Sequence, residues 1–223
     1  SAQTFRNIFN SLDNHTFNRC FTSWISSLGI SIKGVVAIDG KTLCGSKWDA
    51  SGNGAQHVIS AFAHEAGLVI GQRAVDKKSN EITAIPELLN SLALEGTIVT
   101  IDAMGTQKEI AATIVEQEAD YILALKGNQS TLHEDVRLFF EEKSKEVPWN
   151  CHSTTDGEHG RIEERSCTVT DNIAWLKERH GWQGLQTIVQ IKAKRTHKKT
   201  GKAEEETRYY ISTLPPDAAK IMA

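Results

Sequence analysis

The stretch GVVAIDGKTLCGS, residues 34–46, decides how the chain is read. Its Gly40-Lys41-Thr42 suggests a phosphate-cradling loop, but such a loop needs four residues between its two glycines. Gly34 and Gly40 enclose five, among them Val35, Val36, Ala37 and Ile38. A run of that kind belongs in a buried strand, not in a loop whose N–H groups wrap an anion. The stretch is therefore read as a strand that delivers Asp39 at its end.

Working outward, residues 1–29 place Phe5, Ile8, Phe9 and Leu12, then Phe17, Phe21, Trp24 and Ile25, at helical spacing. A break at Asp13-Asn14 can cap the second helix, and Gly29 is placed to end it. After the strand at 35–39 come strands at 57–64 and 67–75, joined by the tight connection Glu65-Ala66. SNEITAIPELLNSLAL (79–94) reads as a helix in which Pro86 is tolerable only in the first turn. GTIVTIDAMG (96–105) is a buried strand ending in Asp102. It is followed by a helix at 107–119, a strand at 120–126 and a helix at 130–142 with Leu132, Val136, Leu138 and Phe139 on its apolar side. The order is three strands, then helix, strand, helix, strand, helix. A meander followed by alternating units is the ribonuclease H-like arrangement of an α/β fold with a mixed sheet; doubly wound folds alternate from the start. The texture turns β-rich after 142, with strand-like stretches on either side of a short helix in NIAWLKERHGW and a hairpin tip near Lys198-Lys199-Thr200-Gly201. The expected organisation is a helical lead-in (1–30), a core (31–142), a β-rich insertion (143–214) and the start of a helix (215–223).

Composition narrows the function. The chain has 223 residues, 39% hydrophobic and 24% charged, with a net charge of −3. This is a globular balance, so contact with a polyanion must come from local patches. No apolar run approaches the roughly 20 residues of a membrane span. Cys20, Cys44, Cys151 and Cys167 form no CxxC pair, and the histidines show no HExxH spacing, which disfavours zinc chemistry. Scattered thiols fit a reducing cytoplasm. A haloacid dehalogenase-type phosphatase needs a second Asp two positions from the first, where Ala37 and Lys41 stand.

In the inferred sheet the first and fourth strands are neighbours, so Asp39 and Asp102 meet. Two adjacent carboxylates repel unless cations neutralise them, and Mg²⁺ or Mn²⁺ prefers such oxygen ligands. A pair of metals on such a site serves phosphodiester chemistry. The plain alternative is a turn residue at Asp39 and a helix cap at Asp102.

The segments VVAIDGKTL, DKKSNEITAIPELLNSL, GTIVTIDAMGTQKEIA, DYILALKGNQSTLHEDV and DGEHGRIEER follow one another as in ISAs-type insertion-sequence transposases and the H-repeat-associated proteins of Rhs elements. The chain resembles that family through nearly its whole length. The resemblance implies a DDE transposase catalytic domain using Mg²⁺ or Mn²⁺ at a two-metal site, with Asp39 and Asp102 as the first two catalytic acids. It also implies transposon-end and target DNA as partners; a homodimer, a cytoplasmic location and no membrane contact are further expectations. Two departures stand out. Cys44 replaces the family's usual Arg, and the family's third acid lies on a helix beyond the point where this sequence stops. The reading is a catalytic-core fragment lacking that acid, or an inactive remnant that only binds DNA or partners.

Substitute acids are Glu134, on the helix after the fifth strand, and Glu163. If 159–165 is a strand, His159, Arg161, Glu163 and Arg165 share one face, suited to a phosphate backbone with Glu163 orienting an arginine. A salt-bridged exposed strand explains the same pattern. Lys126 and Asn128 end the fifth strand close enough to position DNA, or form a Gly-Asn turn. Lys192, Lys194, Arg195, Lys198, Lys199 and Lys202 crowd one hairpin tip, either gripping phosphates or neutralised by the AEEE that follows.

Overall fold

The computed structural model describes residues 1–27, 32–42, 57–75, 81–142, 146–157 and 160–223. Two helices, α1 (Ala2–Ser11) and α2 (Asn14–Ser27), lead in. The Asp13 carboxylate accepts the Thr16 N–H at 2.8 Å and so caps α2. Gly29 lies outside the described residues. The apolar stripes of these helices are largely uncovered, with Phe5, Ile8, Phe17 and Trp24 exposed.

A nine-stranded mixed sheet forms the body, in the order β3-β2-β1-β4-β5-β9-β8-β7-β6. The meander comprises β1 (Val35–Thr42), β2 (His57–Ala63) and β3 (Leu68–Val75), paired antiparallel. β4 (Ile98–Ile101) lies parallel to β1, and β5 (Asp120–Leu125) parallel to β4. Between them run α3 (Glu81–Leu89) and α4 (Lys108–Glu116), with α5 (Ser130–Glu142) after β5. Alternation explains which face is covered: Val36, Ile38, Val99 and Ile101 are buried in a core with Ile85, Leu88, Ile110, Ile114, Leu132 and Val136 of the three helices. The residues between them, Ala37, Asp39, Thr100 and Asp102, fall on the opposite face.

Residues beyond α5 do not form a separate layer. β6 (Asn150–Asp156), β7 (Arg161–Thr170), β8 (Thr187–His197) and β9 (Ala203–Ser212) continue the same sheet, because β9 pairs antiparallel with β5. The short α6 (Ala174–His180) connects β7 to β8 and buries Leu176 on the main core. On the other face α7 (Ala218–Met222), capped by Asp217, builds a second core from Ala218 and Ile221 against Cys167, Val169 and Val189. Burial beside Cys151 pushes the Cys167 thiol up to about 11, so this cysteine is a small apolar filler.

Four local readings need correction. Pro86 sits well inside α3 rather than in its first turn. An interior proline costs about 3 kcal/mol. Burial of Ile85, Leu88 and Leu89 around it offsets that cost. β4 ends at Ile101, so Asp102 lies just past the strand. On α5 it is Phe140 that is buried, while Leu138 is exposed. β6 escapes a reading by pattern because its sequence, NCHSTTD, is exposed throughout and shows no apolar alternation.

Candidate active site

Asp39 and Asp102 approach each other because β1 and β4 are parallel neighbours in matched register. Ile38 pairs with Ile101, the last pair of the ladder, and the two aspartates are the next residue on each chain. Neighbouring strands lie about 4.8 Å apart, and residues in step on parallel strands point to one face. Both carboxylates therefore project from the open face, at the C-terminal edge of the sheet. Asp39 is 57% exposed and sits 3.4 Å from the Lys41 ammonium. Asp102 folds one oxygen back: its Oδ1 accepts the Met104 N–H at 3.0 Å and the Gly105 N–H at 3.4 Å.

The turn that carries Asp102 is tied down from three sides. Thr106 Oγ1 donates to the Ala124 carbonyl at 2.6 Å and so binds the turn to β5. The Asn128 side-chain amide donates to the Ala103 carbonyl, and Gln129 Nε2 to the Thr106 carbonyl at 3.0 Å. Gly105 is demanded by space. A Cβ there would collide with Ile101 of β4 and Ile85 of α3.

Asn128 thus spends its amide on the Asp102 turn, whereas Lys126 lines an open groove with Asp102, Arg208 and Tyr210, about 410 Å³ in volume. Glu134 is on α5, hydrogen-bonded to Arg137, which holds its carboxyl below the usual range. Among the described residues it joins the aspartates in no metal-holding group, and the buried side of α5 packs on the helix-covered face. Glu163 is on β7, which β5, β9 and β8 separate from β4. Its carboxylate accepts from Arg165 at 2.8 Å and Arg195 at 3.2 Å, and these bonds hold it below the usual range. Arg161 and Arg165 share its strand, and His159 and Cys44 lie outside the described residues. The basic tip is offset by the acids that follow it: Lys194 bridges Glu205 at 3.1 Å and Lys202 bridges Glu204 at 3.7 Å.

Asp39 and Asp102 suit a divalent cation as hard oxygen donors on one face. Among the described residues, no group of three or more His, Cys, Asp or Glu side chains is arranged to hold a metal. The fit is that of a two-carboxylate partial site. Sequence reasoning missed Thr106 and Gln129, whose roles are contacts across segments, and Arg208, which the lysine-rich tip overshadowed.

Comparison supplies the class: the chain belongs to the Transposase DDE domain family, whose model matches residues 30–222. It is 40% identical over 219 residues to the "Uncharacterized protein in dhlA 3'region" of Xanthobacter autotrophicus, covering 97% of this chain and 73% of that protein. It is 42% identical over 212 residues to the "H repeat-associated putative transposase YhhI" of Escherichia coli K12, covering 92% of this chain and 56% of that protein. A third relative, "Putative transposase YncI" of Escherichia coli O157:H7, is 40% identical, and the chain spans 57% of its length. Among solved structures, the piggyBac transposase synaptic complex with hairpin DNA aligns at TM-score 0.43 and 11% identity, over 86% of this chain and 37% of that one. No helix among the described residues is long and apolar enough to cross a membrane.

Proposed function

We propose that the chain carries the acidic half of a DNA phosphoryl-transfer site, within a transposase that cleaves element ends and joins them to target DNA. The single observation that carries this reading is the matched register that sets Asp39 beside Asp102 on the open face. The strand order β3-β2-β1-β4-β5, antiparallel then parallel, supports a ribonuclease H-like core at residues 31–142. Residues 143–214 then act as a β-rich arm of that core.

Asp39 and Asp102 would hold Mg²⁺ or Mn²⁺, which supplies Lewis-acid stabilisation of charge on the phosphodiester oxygens. The chain's own work is positional. The Asp102 turn fixes one carboxylate through N–H donors at Met104 and Gly105. Lys41 balances the charge of Asp39 until a cation replaces it. A hydroxyl aligned at this edge for attack loses its proton to solvent or to a free carboxylate oxygen.

The test is nicking of supercoiled plasmid by the chain with Mn²⁺. Nicking lost in Asp39→Asn and in Asp102→Asn supports the reading; nicking kept in both overturns it. A second reading, DNA binding without cleavage, is favoured by the absence of a third carboxylate from this pair among the described residues. Metal-independent DNA binding that survives both substitutions, with no nicking, selects it.

A further inference from the structure

The open face continues past the aspartates as a row of cations. The β5–β9 ladder ends with Leu125 opposite Tyr209, so Lys126 and Arg208 are the next cross-strand neighbours. Arg208 and Tyr210 share the face of Asp102 and line the same groove. A second groove of about 270 Å³ adjoins it, sharing Arg208, Tyr210, Ile191 and Ile221, and is lined also by Arg195 and Arg165.

Each arginine is held by a carboxylate, and Arg208 is hydrogen-bonded to Tyr210 as well. Glu206 accepts from Arg208 Nε at 2.8 Å and from Nη2 at 2.9 Å, which leaves Nη1 free of that fork. Glu163 likewise orients both Arg165 and Arg195. Arg208, Arg165 and Arg195 remain 55%, 51% and 43% exposed. The charge of Lys126 reaches Glu206 as well. Four cations thus line the two grooves, with Glu206 and Asp102 on the same lining and Glu163 bonded to Arg165 and Arg195. A planar guanidinium pinned by a carboxylate is pre-organised to fork a phosphate with its remaining N–H groups. From Lys126 to Arg195 the path runs about two strand spacings sideways and four residues along, roughly 16 Å. That length matches about four to five nucleotides of one strand at ~3.4 Å each.

We propose that Lys126 and Arg208 form a phosphate clamp beside the aspartate pair, and that Arg195 and Arg165 extend it as a track for the strand leading away from the reacting phosphate. This rests on the DNA reading above. Glu206 and Glu163 are the positioning residues of the track.

The experiment is fluorescence anisotropy with a labelled random-sequence duplex of about 30 base pairs, in EDTA, across a salt series. EDTA removes any contribution of the Asp39–Asp102 pair through metal. Arg208→Gln weakens binding and lowers the slope of log affinity against log salt by about 1, as loss of one phosphate contact should. Arg208→Lys keeps the charge and keeps the slope, a pattern that a purely structural role for Arg208 would not produce. Lys126→Gln, beyond the end of β5, reads the same clamp should Arg208→Gln fold poorly. Lys199→Gln, at the hairpin tip, leaves affinity and slope unchanged. The proposal is overturned if folded Arg208→Gln and Lys126→Gln both keep the original slope, or if Lys199→Gln costs as much as they do. Slope loss in Arg208→Gln alongside nicking that survives Asp39→Asn keeps the clamp and removes the catalytic reading. The converse pattern removes the clamp alone.

Discussion

The side-chain amide of Asn128 donates to the carbonyl of Ala103, the residue next to Asp102. A residue in the turn that follows β5 thereby sets the turn at the end of β4, with Thr106 and Gln129 closing the same loop. Side-chain-to-backbone ties of this kind fix where a carboxylate points without touching it.

Asn128→Ala should cost about 1 kcal/mol of stability, the net worth of one hydrogen bond. The larger effect is expected at the site: Mn²⁺ affinity falls because Asp102 loses its fixed orientation. Urea unfolding and Mn²⁺ calorimetry check both parts. Mn²⁺ affinity equal to that of the original chain would contradict the positioning role.

Gly105→Ala tests how tightly the turn is packed. Its Cβ meets Ile101 and Ile85, so the substitution should destabilise by about 1–3 kcal/mol, as overpacking does. Gly127→Ala, where nothing crowds an added Cβ, is the control. Equal stability of the two variants would show that the turn yields freely.

The arm formed by β7, β8 and β9 should loosen in acid. Arginine hydrogen bonds hold the Glu163 and Glu206 carboxyls below their usual range. A carboxyl depressed in the folded state stabilises above its unfolded pKa, and the contribution is lost as pH falls through the folded value. Amide protection in the outer half of the arm should therefore drop below the ordinary carboxylate range of about 4, while β4 and β5 hold. Glu163→Gln should flatten that dependence. Protection that is flat with pH in the original chain would refute it.

Much of this was legible in the chain itself. The apolar runs at Val35 to Ile38 and around Val99 marked adjacent buried strands, and an acid just after each run was visible by position alone, although β1 runs on to Thr42 and so holds Asp39 within the strand rather than at its end. The helix at Ser130–Glu142 and the Asp13 cap were equally open to reading, because capping and 3.6-residue periodicity are local properties. What stayed hidden was non-local. β6 is a polar edge strand that exists only because β7 offers it a partner. Pro86 survives in α3 because of burial that no propensity records. The tie from Asn128 to Ala103 and the place of Arg208 beside Lys126 depend on which strands become neighbours. The lysine-rich tip drew attention that belonged to Arg208: register sets Lys194 opposite Glu205 and Arg195 opposite Glu204, and places Arg208 opposite Ile191 on the groove face.

The central claim is that Asp39 and Asp102 together hold a divalent cation, and anomalous scattering from a Mn²⁺-soaked crystal tests it most directly. A Mn²⁺ peak within ligand distance of both carboxylates, about 2.0–2.6 Å, and lost in Asp39→Asn, is the predicted result. Ordered Mn²⁺ elsewhere, with none between these two carboxylates, would contradict it.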